Sequence, residues 1–352
     1  MTRHSLKSIG DNDISFARLT IAIFVLLLFS LFFVHASSAQ QLGYIITYHG
    51  SITADEDENS LQYPSVLHID RTTGEIYVVD GKSRILVYTS DLFPLYTINS
   101  KNGIYTPHGL TVDEEGTLYV AQAPSEKDPR YRISVLNACL KWERDIYIEG
   151  FEGAESFVPF HLVTDKQGIL YVAGRFTPRV LVMNNRGRLM GILSPEEDGK
   201  KVKLNNVSVD EEGNIYLLSE EKGRVYVYDR NRKFLFKFGQ KGGSTGKLSR
   251  PRGIGIDDRN GRLYIVDYMR HTTAVFDTKG NFMFEFGGLG WGEGWFQHPV
   301  DIEIDKNGRI FVADRFNQRV QIFQSWERTG KDSVPGKKIL VTETVIKTIP
   351  PR

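Results

Sequence analysis

The chain reads as all-β: a six-bladed β-propeller of four-stranded antiparallel blades, its ring closed by an N-terminal strand. Three observations predict this. An aspartate-to-glycine turn recurs six times, ending at Gly74, Gly116, Gly168, Gly213, Gly261 and Gly308, with spacings of 42, 52, 45, 48 and 47 residues. A period of that length marks an array of like units. Each turn leads at once into a short run with a ring three residues after the glycine: Tyr77, Tyr119, Tyr171, Tyr216, Tyr264 and Phe311. The runs are about five residues long, rich in β-branched and aromatic side chains and bounded by Gly, Asp or Asn, which is the pattern of strands. Short strands arrayed at this spacing form propellers.

The fourth unit shows the elements most clearly. LNNVSVD (Leu204 to Asp210) precedes the turn to Gly213, followed by NIYLLS, RVYVYD (Arg224 to Asp229) and KFLFKFG (Lys233 to Gly239), which makes four strands. In each hairpin the aspartate accepts backbone N–H groups, and glycine supplies the positive φ that a Cβ would oppose. The Asp-Glu-Glu-Gly turns at 113–116 and 210–213 lack the further oxygen ligands and closing Glu of a calcium loop. A second recurring pair, Asp80 with Arg84, Asp314 with Arg319 and, in weaker form, Ser219 with Arg224, is suited to pinning the entry to the third strand by an ion pair.

Two phrases, GRIFVADRFNQRVQIF (Gly308 to Phe323) and RPRGIGIDDRNGRLYIVD (Arg250 to Asp267), resemble NHL repeats, the units of six-bladed propellers. The resemblance covers residues 43 to 326 and is strongest in the fifth and sixth units. It weakens in the third, whose second strand ends in Ala173 and Gly174 without Asp, and at the third-strand entry of the fifth, where His271 and Thr272 replace the expected Arg. The sixth unit has no fourth strand directly after its third. YIITYHG (Tyr44 to Gly50) has the aromatic and glycine ending of such a strand and is expected to supply it, tying both chain ends into one sheet and leaving no open edge. The competitor is ILVTETVIKTI (Ile339 to Ile349), beyond a polar linker.

Residues 40–326 are therefore read as the propeller, and 327–352 as a linker and tail with room for one extra strand. Residues 1–39 are read as a secretory signal: Arg3, Lys7 and Arg18, an apolar stretch from Leu19 to Val34, then small residues with cleavage expected after Ala39. The alternative is an uncleaved membrane anchor at residues 19–34. Sixteen residues reach about 24 Å as helix, short of a ~30 Å hydrocarbon core, which favours cleavage and export to the periplasm or the extracellular space. The mature chain would hold 41 basic and 41 acidic residues, and that balance gives no footprint for nucleic acid. Cys139 is the single cysteine, so no internal disulfide forms; its run VLNACL is expected to bury it. The sequon at Asn206 falls in an expected innermost strand, where a glycan does not fit.

Chemistry is sparse. The propeller resembles peptidylglycine amidating lyases, whose zinc histidines follow Pro at the start of innermost strands, and Pro107-His108 matches that motif. The other five positions read Ser65, Phe160, Asn206, Arg252 and Val300. His161 and His298 stand one residue out of register, which in a regular strand turns a side chain to the opposite face; neither is expected to converge with His108. No nucleophile elbow, phosphate loop or His-Glu-x-x-His is present. Asn205, Asn206, Asp301 and Glu303 could compose a lactonase-like metal cluster, but their spacing does not require one.

The expected function is binding or scaffolding of a protein or peptide partner by a monomer without cofactor or metal, with a metal-dependent lyase or lactonase using the central channel as the alternative. The irregular loops, which gather on one face, carry the candidate site. Its residues are Trp291, Trp295 and Phe296 in a glycine-rich segment, Arg252, Arg270 and Arg315, and His108, His161 and His298. The three rings have an alternative role in filling the groove between the fifth and sixth blades.

Overall fold

The computed structural model describes residues 43–175, 177–327, 337–339 and 341–343, and every regular element longer than three residues among them is a strand. Blade one is Val66–Ile69, Ile76–Val79, Ile85–Tyr88 and Pro94–Ile98. Blades two to five follow with four strands each, starting at Pro107, Pro159, Asn206 and Pro251. Blade six takes Pro299–Ile304, Arg309–Asp314 and Arg319–Glu327 from the end of the propeller, and its fourth strand is Tyr44–Ile52. That N-terminal strand pairs antiparallel with the third, from Tyr44 opposite Glu327 to Ile52 opposite Val320. The ring closes as the sequence implies.

The C-terminal segment adds to this closure. Lys337–Ile339 pairs with the N-terminal strand on the outer edge of blade six, and Val341–Glu343 pairs with the outer strand of blade five. In place of the one extra strand expected from Ile339, the described residues form two three-residue strands. The expected signal segment, the linker at 328–336 and the tail beyond Glu343 lie outside the described residues. Among the described residues no helix is long and apolar enough to cross a membrane.

Each turn is a small hydrogen-bonded unit that explains its own sequence. Asp113 accepts the N–H groups of Glu115 at 3.1 Å and Thr117 at 2.8 Å, and the hydroxyl of Tyr119 at 3.1 Å. Asp165 with Tyr171 and Asp210 with Tyr216 repeat the arrangement. In blades two, three and four the ring three residues after the glycine is thus the partner of the turn's carboxylate, whereas Tyr77 donates to Glu75 and Tyr264 meets Ser325. Asp80 and Asp314 pair with Arg84 at 3.0 Å and Arg319 at 2.9 Å as expected, whereas Arg224 reaches Glu197 at 2.6 Å. Asn137 builds the same turn in blade two, accepting from the N–H of Cys139 at 3.0 Å. Cys139 is therefore exposed at a turn, which corrects its expected burial. Six apolar clusters hold the ring together, one at each junction of neighbouring blades.

Candidate site at the channel mouth

The innermost strands of blades two, three, five and six share one irregularity. Register shifts between Pro107 and Gly109, Pro159 and His161, Pro251 and Gly253, and Pro299 and Asp301. Each is a β-bulge, in which two residues oppose one on the partner strand and a side chain is re-aimed. The bulged residues are His108, Phe160, Arg252 and Val300, and all four line a cavity of about 760 Å³ at one mouth of the channel.

The residue after the bulge alternates between small and large. It is Gly109 and Gly253 in blades two and five, and His161 and Asp301 in blades three and six. A Cβ on Gly109 would stand 2.0 Å from the Phe160 carbonyl oxygen, and one on Gly253 would stand 2.8 Å from an Asp301 carboxylate oxygen. The glycines thus make room for the next blade, and His161 and Asp301 occupy it. His161 Nε2 comes to 3.8 Å from Asp301 Oδ2, and the same oxygen accepts the buried N–H of Leu67 at 2.9 Å. This contact floors the cavity. Beyond it, a narrower cavity of about 190 Å³, with His68 and Glu303 in its wall, opens toward the other face.

The expectation that His161 points away from His108 is therefore wrong, because the bulge cancels the alternation on which it rested. Both histidines line the mouth, with Arg252 and Arg315. The remaining candidates lie elsewhere. Phe296 is fully buried in the apolar cluster between blades five and six, which is the groove-filling role. Arg270 is bidentate to Glu285 at 2.7 Å on both nitrogens and donates to the carbonyls of Gly243 and Lys247, so it pins loops within blade five. His298, at φ 55°, stacks 4.4 Å from Tyr268 and 4.4 Å from His271. Trp295 packs on its own loop, since a Cβ on Gly288 or Gly290 would meet its ring at 2.7 or 3.2 Å. Those glycines serve packing, and of the two indoles Trp291 is 77% exposed and Trp295 45%.

The mouth is positively charged. Six basic side chains line it against four acidic ones, and one of the acids, Asp80, is already paired with Arg84. Glu220 binds Arg250 at 2.5 Å and Arg252 at 3.4 Å. Arg315 makes no ion pair among the described residues; its bond is to the Tyr63 carbonyl at 3.4 Å. Burial lowers its pKa from the usual value, and the charges of Arg252 and Arg175 push the same way. Burial, followed by the Arg175 charge, likewise holds His108 below its ordinary value and so favours neutral imidazole. Among the described residues, buried polar atoms without a hydrogen-bond partner include His108 Nδ1, both ring nitrogens of His161, Asn206 Oδ1 and Arg252 Nε. All belong to this cavity wall. Buried polar atoms are normally paired; here the closest charged groups are Glu220, 3.4 Å from Arg252 Nε, and Asp301, 3.8 Å from His161 Nε2.

Sequence reasoning missed Tyr63 and Arg175, which also line the mouth. Arg175 stands over the Phe160 ring at 5.1 Å. Tyr63 directly precedes the Pro that opens the first innermost strand, and that place in the repeat was the available signal. Among the described residues, no group of three or more His, Cys, Asp or Glu side chains is placed to hold a metal ion; of the residues weighed for a lactonase-like cluster, Asn205, Asn206 and Asp301 line the mouth and Glu303 lines the far cavity.

A DUF5128 family model, described as a 6-bladed beta-propeller, matches residues 254–325. None of the curated proteins matches the chain in sequence. Among solved structures, an auxiliary nutrient binding protein from Bacteroides thetaiotaomicron is similar at TM-score 0.60 and 13% identity, covering 81% of this chain and 77% of its own. One of the same description from Bacteroides ovatus gives 0.57 and 16%, covering 82% and 78%. Virginiamycin B lyase from Staphylococcus aureus gives 0.52 and 10%, covering 80% and 99%. The chain is a six-bladed β-propeller. At these identities the likeness concerns the fold alone.

Proposed function

We propose that this propeller is a binding protein whose site is the bulge-lined channel mouth, and that its ligand carries negative charge. The observation that supports it most is the coincidence of unpartnered buried polar atoms with an excess of arginine in one cavity of ligand size. Guanidinium groups suit carboxylate, sulfate and phosphate, and a recessed site strengthens each such contact. Similar folds described as nutrient-binding proteins are compatible with this reading. The repeat pattern supports placing the chain with NHL-type propellers, and the composition of residues 1–39 supports export. Catalysis by a metal-dependent lyase or lactonase is the alternative reading, and a similar fold described as virginiamycin B lyase is compatible with it.

A second reading keeps a protein partner. Trp291 and Trp295 expose large rings outside the cavity, and aromatic rings often anchor interfaces.

The test is a thermal-shift screen of the purified propeller against small carboxylates, phosphate and sulfate, with the Arg252→Met/Arg315→Met double variant beside it. At least one anion should raise the melting temperature of the wild type and not of the variant. No shift by any anion, or a shift that survives the double substitution, overturns the reading.

A further inference from the structure

Resting on the anion-binding reading above, we infer that the ligand is an acidic sugar, a compact carbohydrate bearing a carboxylate. The unpartnered atoms specify more than charge. Arg252 and Arg315 can only donate hydrogen bonds; Arg252 shares Glu220 with Arg250, and Arg315 makes no ion pair among the described residues, so together they favour an anion or other acceptor. Asn206 Oδ1, on a side chain 2% exposed, can only accept. It cannot turn its amide inward, because its Nδ2 already donates to the Arg252 carbonyl at 3.0 Å. A bare inorganic anion or a simple fatty carboxylate would leave this oxygen unsatisfied. His108 and His161 carry unpartnered ring nitrogens that serve as donor or acceptor according to tautomer. A ligand that satisfies all of these must offer donors and acceptors close together as well as negative charge, which adjacent hydroxyls beside a carboxylate do.

The wall also offers apolar faces at matching height. Tyr63 and Phe160 line the cavity. From Tyr63 a row of rings runs outward along the rim, to Phe316 at 5.9 Å and then His298 at 5.2 Å. Tyr63 and Phe316 are each 42% exposed. Flat rings beside fixed polar groups suit a molecule with an apolar C–H face and a hydroxylated edge. A cavity of about 760 Å³ falls in the range that encloses a drug-sized ligand, which corresponds to a short oligosaccharide.

Calorimetric titration with D-glucuronate, D-galacturonate and di- and trigalacturonate tests this. Glucose, maltotriose, inorganic phosphate and a neutral tripeptide with a free C-terminus are the comparison probes. An acidic di- or trisaccharide should bind at least about tenfold more tightly than maltotriose. Phe316→Ala should weaken the trisaccharide several-fold more than the monosaccharide, because the row of rings lies on the rim. Asn206→Asp should weaken acidic sugars by a further factor of about ten by placing a second carboxylate beside the first, and a melting curve on each variant checks that it is folded. Binding of phosphate or the tripeptide, with none of the acidic sugars, overturns the sugar assignment and leaves anion binding standing. Equal binding of maltotriose and trigalacturonate retains a carbohydrate site but overturns its acidic character. Silence from every anionic probe overturns both readings.

Discussion

His161 of blade three and Asp301 of blade six meet across the channel, Nε2 to Oδ2 at 3.8 Å, and between them they separate the wide mouth from the narrow far end. Opposite blades touch here because Gly109 and Gly253 leave the space. The Asp301 carboxylate also satisfies the buried N–H of Leu67 in blade one, so one side chain ties three blades at the axis. Removing it orphans a buried donor, at a cost of about 1–3 kcal/mol. Asp301→Ala should lower the melting temperature by about 4 °C or more. Asp301→Asn, which keeps an acceptor, should lower it by clearly less, and equal losses in the two variants would refute this role.

The far end of the channel should make stability depend on pH in two opposite directions. Burial, reinforced by the Asp301 charge, pushes the Glu303 carboxyl up to about 8. Its folded value lies above the ordinary 4.5, so its contribution is complete below pH 4.5 and is lost as pH rises through about 8. His68 is the reverse. Burial, aided by Arg71, holds it down at about 3, so its contribution is present above pH 6.5 and is lost as pH falls toward 3. Glu303→Gln should flatten the alkaline limb and raise the melting temperature at pH 8.5 by at least about 2 °C relative to wild type. An unchanged alkaline limb would show that Glu303 is ionised in the folded protein without penalty.

The architecture was legible because each blade repeats the same physical requirements. An aspartate at the turn needs its N–H donors, a ring opens the next strand and in three blades gives its hydroxyl to that aspartate, and glycine permits the positive φ. All three leave fixed residue types at fixed spacing. The site was legible only in part. His108 and Arg252 stand directly after Pro, and that position was recognised as channel-facing, but a bulge has no residue signature of its own. His161 was consequently assigned to the wrong face. The segment at Gly287 to His298 was legible in part for a related reason: Trp291 and Trp295 are exposed and Phe296 is buried, and Gly288 and Gly290 are where the Trp295 side chain lies against backbone. Composition reports that a side chain is missing without reporting what fills the space.

Closure of the ring depends more on the N-terminal strand than on the C-terminal pair. Tyr44–Ile52 pairs along almost the whole third strand of blade six and puts Ile46 into the cluster between blades five and six. The C-terminal strands add three residues to each of two outer edges. A chain beginning at Ser51 should melt at least about 10 °C below one beginning at Gln40, because it loses several kcal/mol of pairing and burial. Removal of residues 330–352 should cost only a few degrees on the same scale. The reverse order, measured by calorimetry on the two truncations, would mean that the outer strands are the principal clasp.

Trp291 and Phe296, five residues apart in one loop, should respond oppositely to truncation. Phe296 is fully buried, with its ring 6.2 Å from Phe286 and 5.8 Å from Phe323. Deleting a buried phenyl group costs about 3–5 kcal/mol through lost burial and the cavity left behind. Phe296→Ala should therefore lower the melting temperature by about 8 °C or more. Trp291 is 77% exposed, and substitutions at such positions stay within about 0.5 kcal/mol, so Trp291→Ala should melt within about 2 °C of wild type. The pair also separates the two binding readings. If the exposed rings anchor a protein partner, Trp291→Ala should weaken that association while leaving anion binding at the mouth unchanged. If Trp291→Ala instead alters the anion titration, the rim of the site extends farther out than Phe316 and His298.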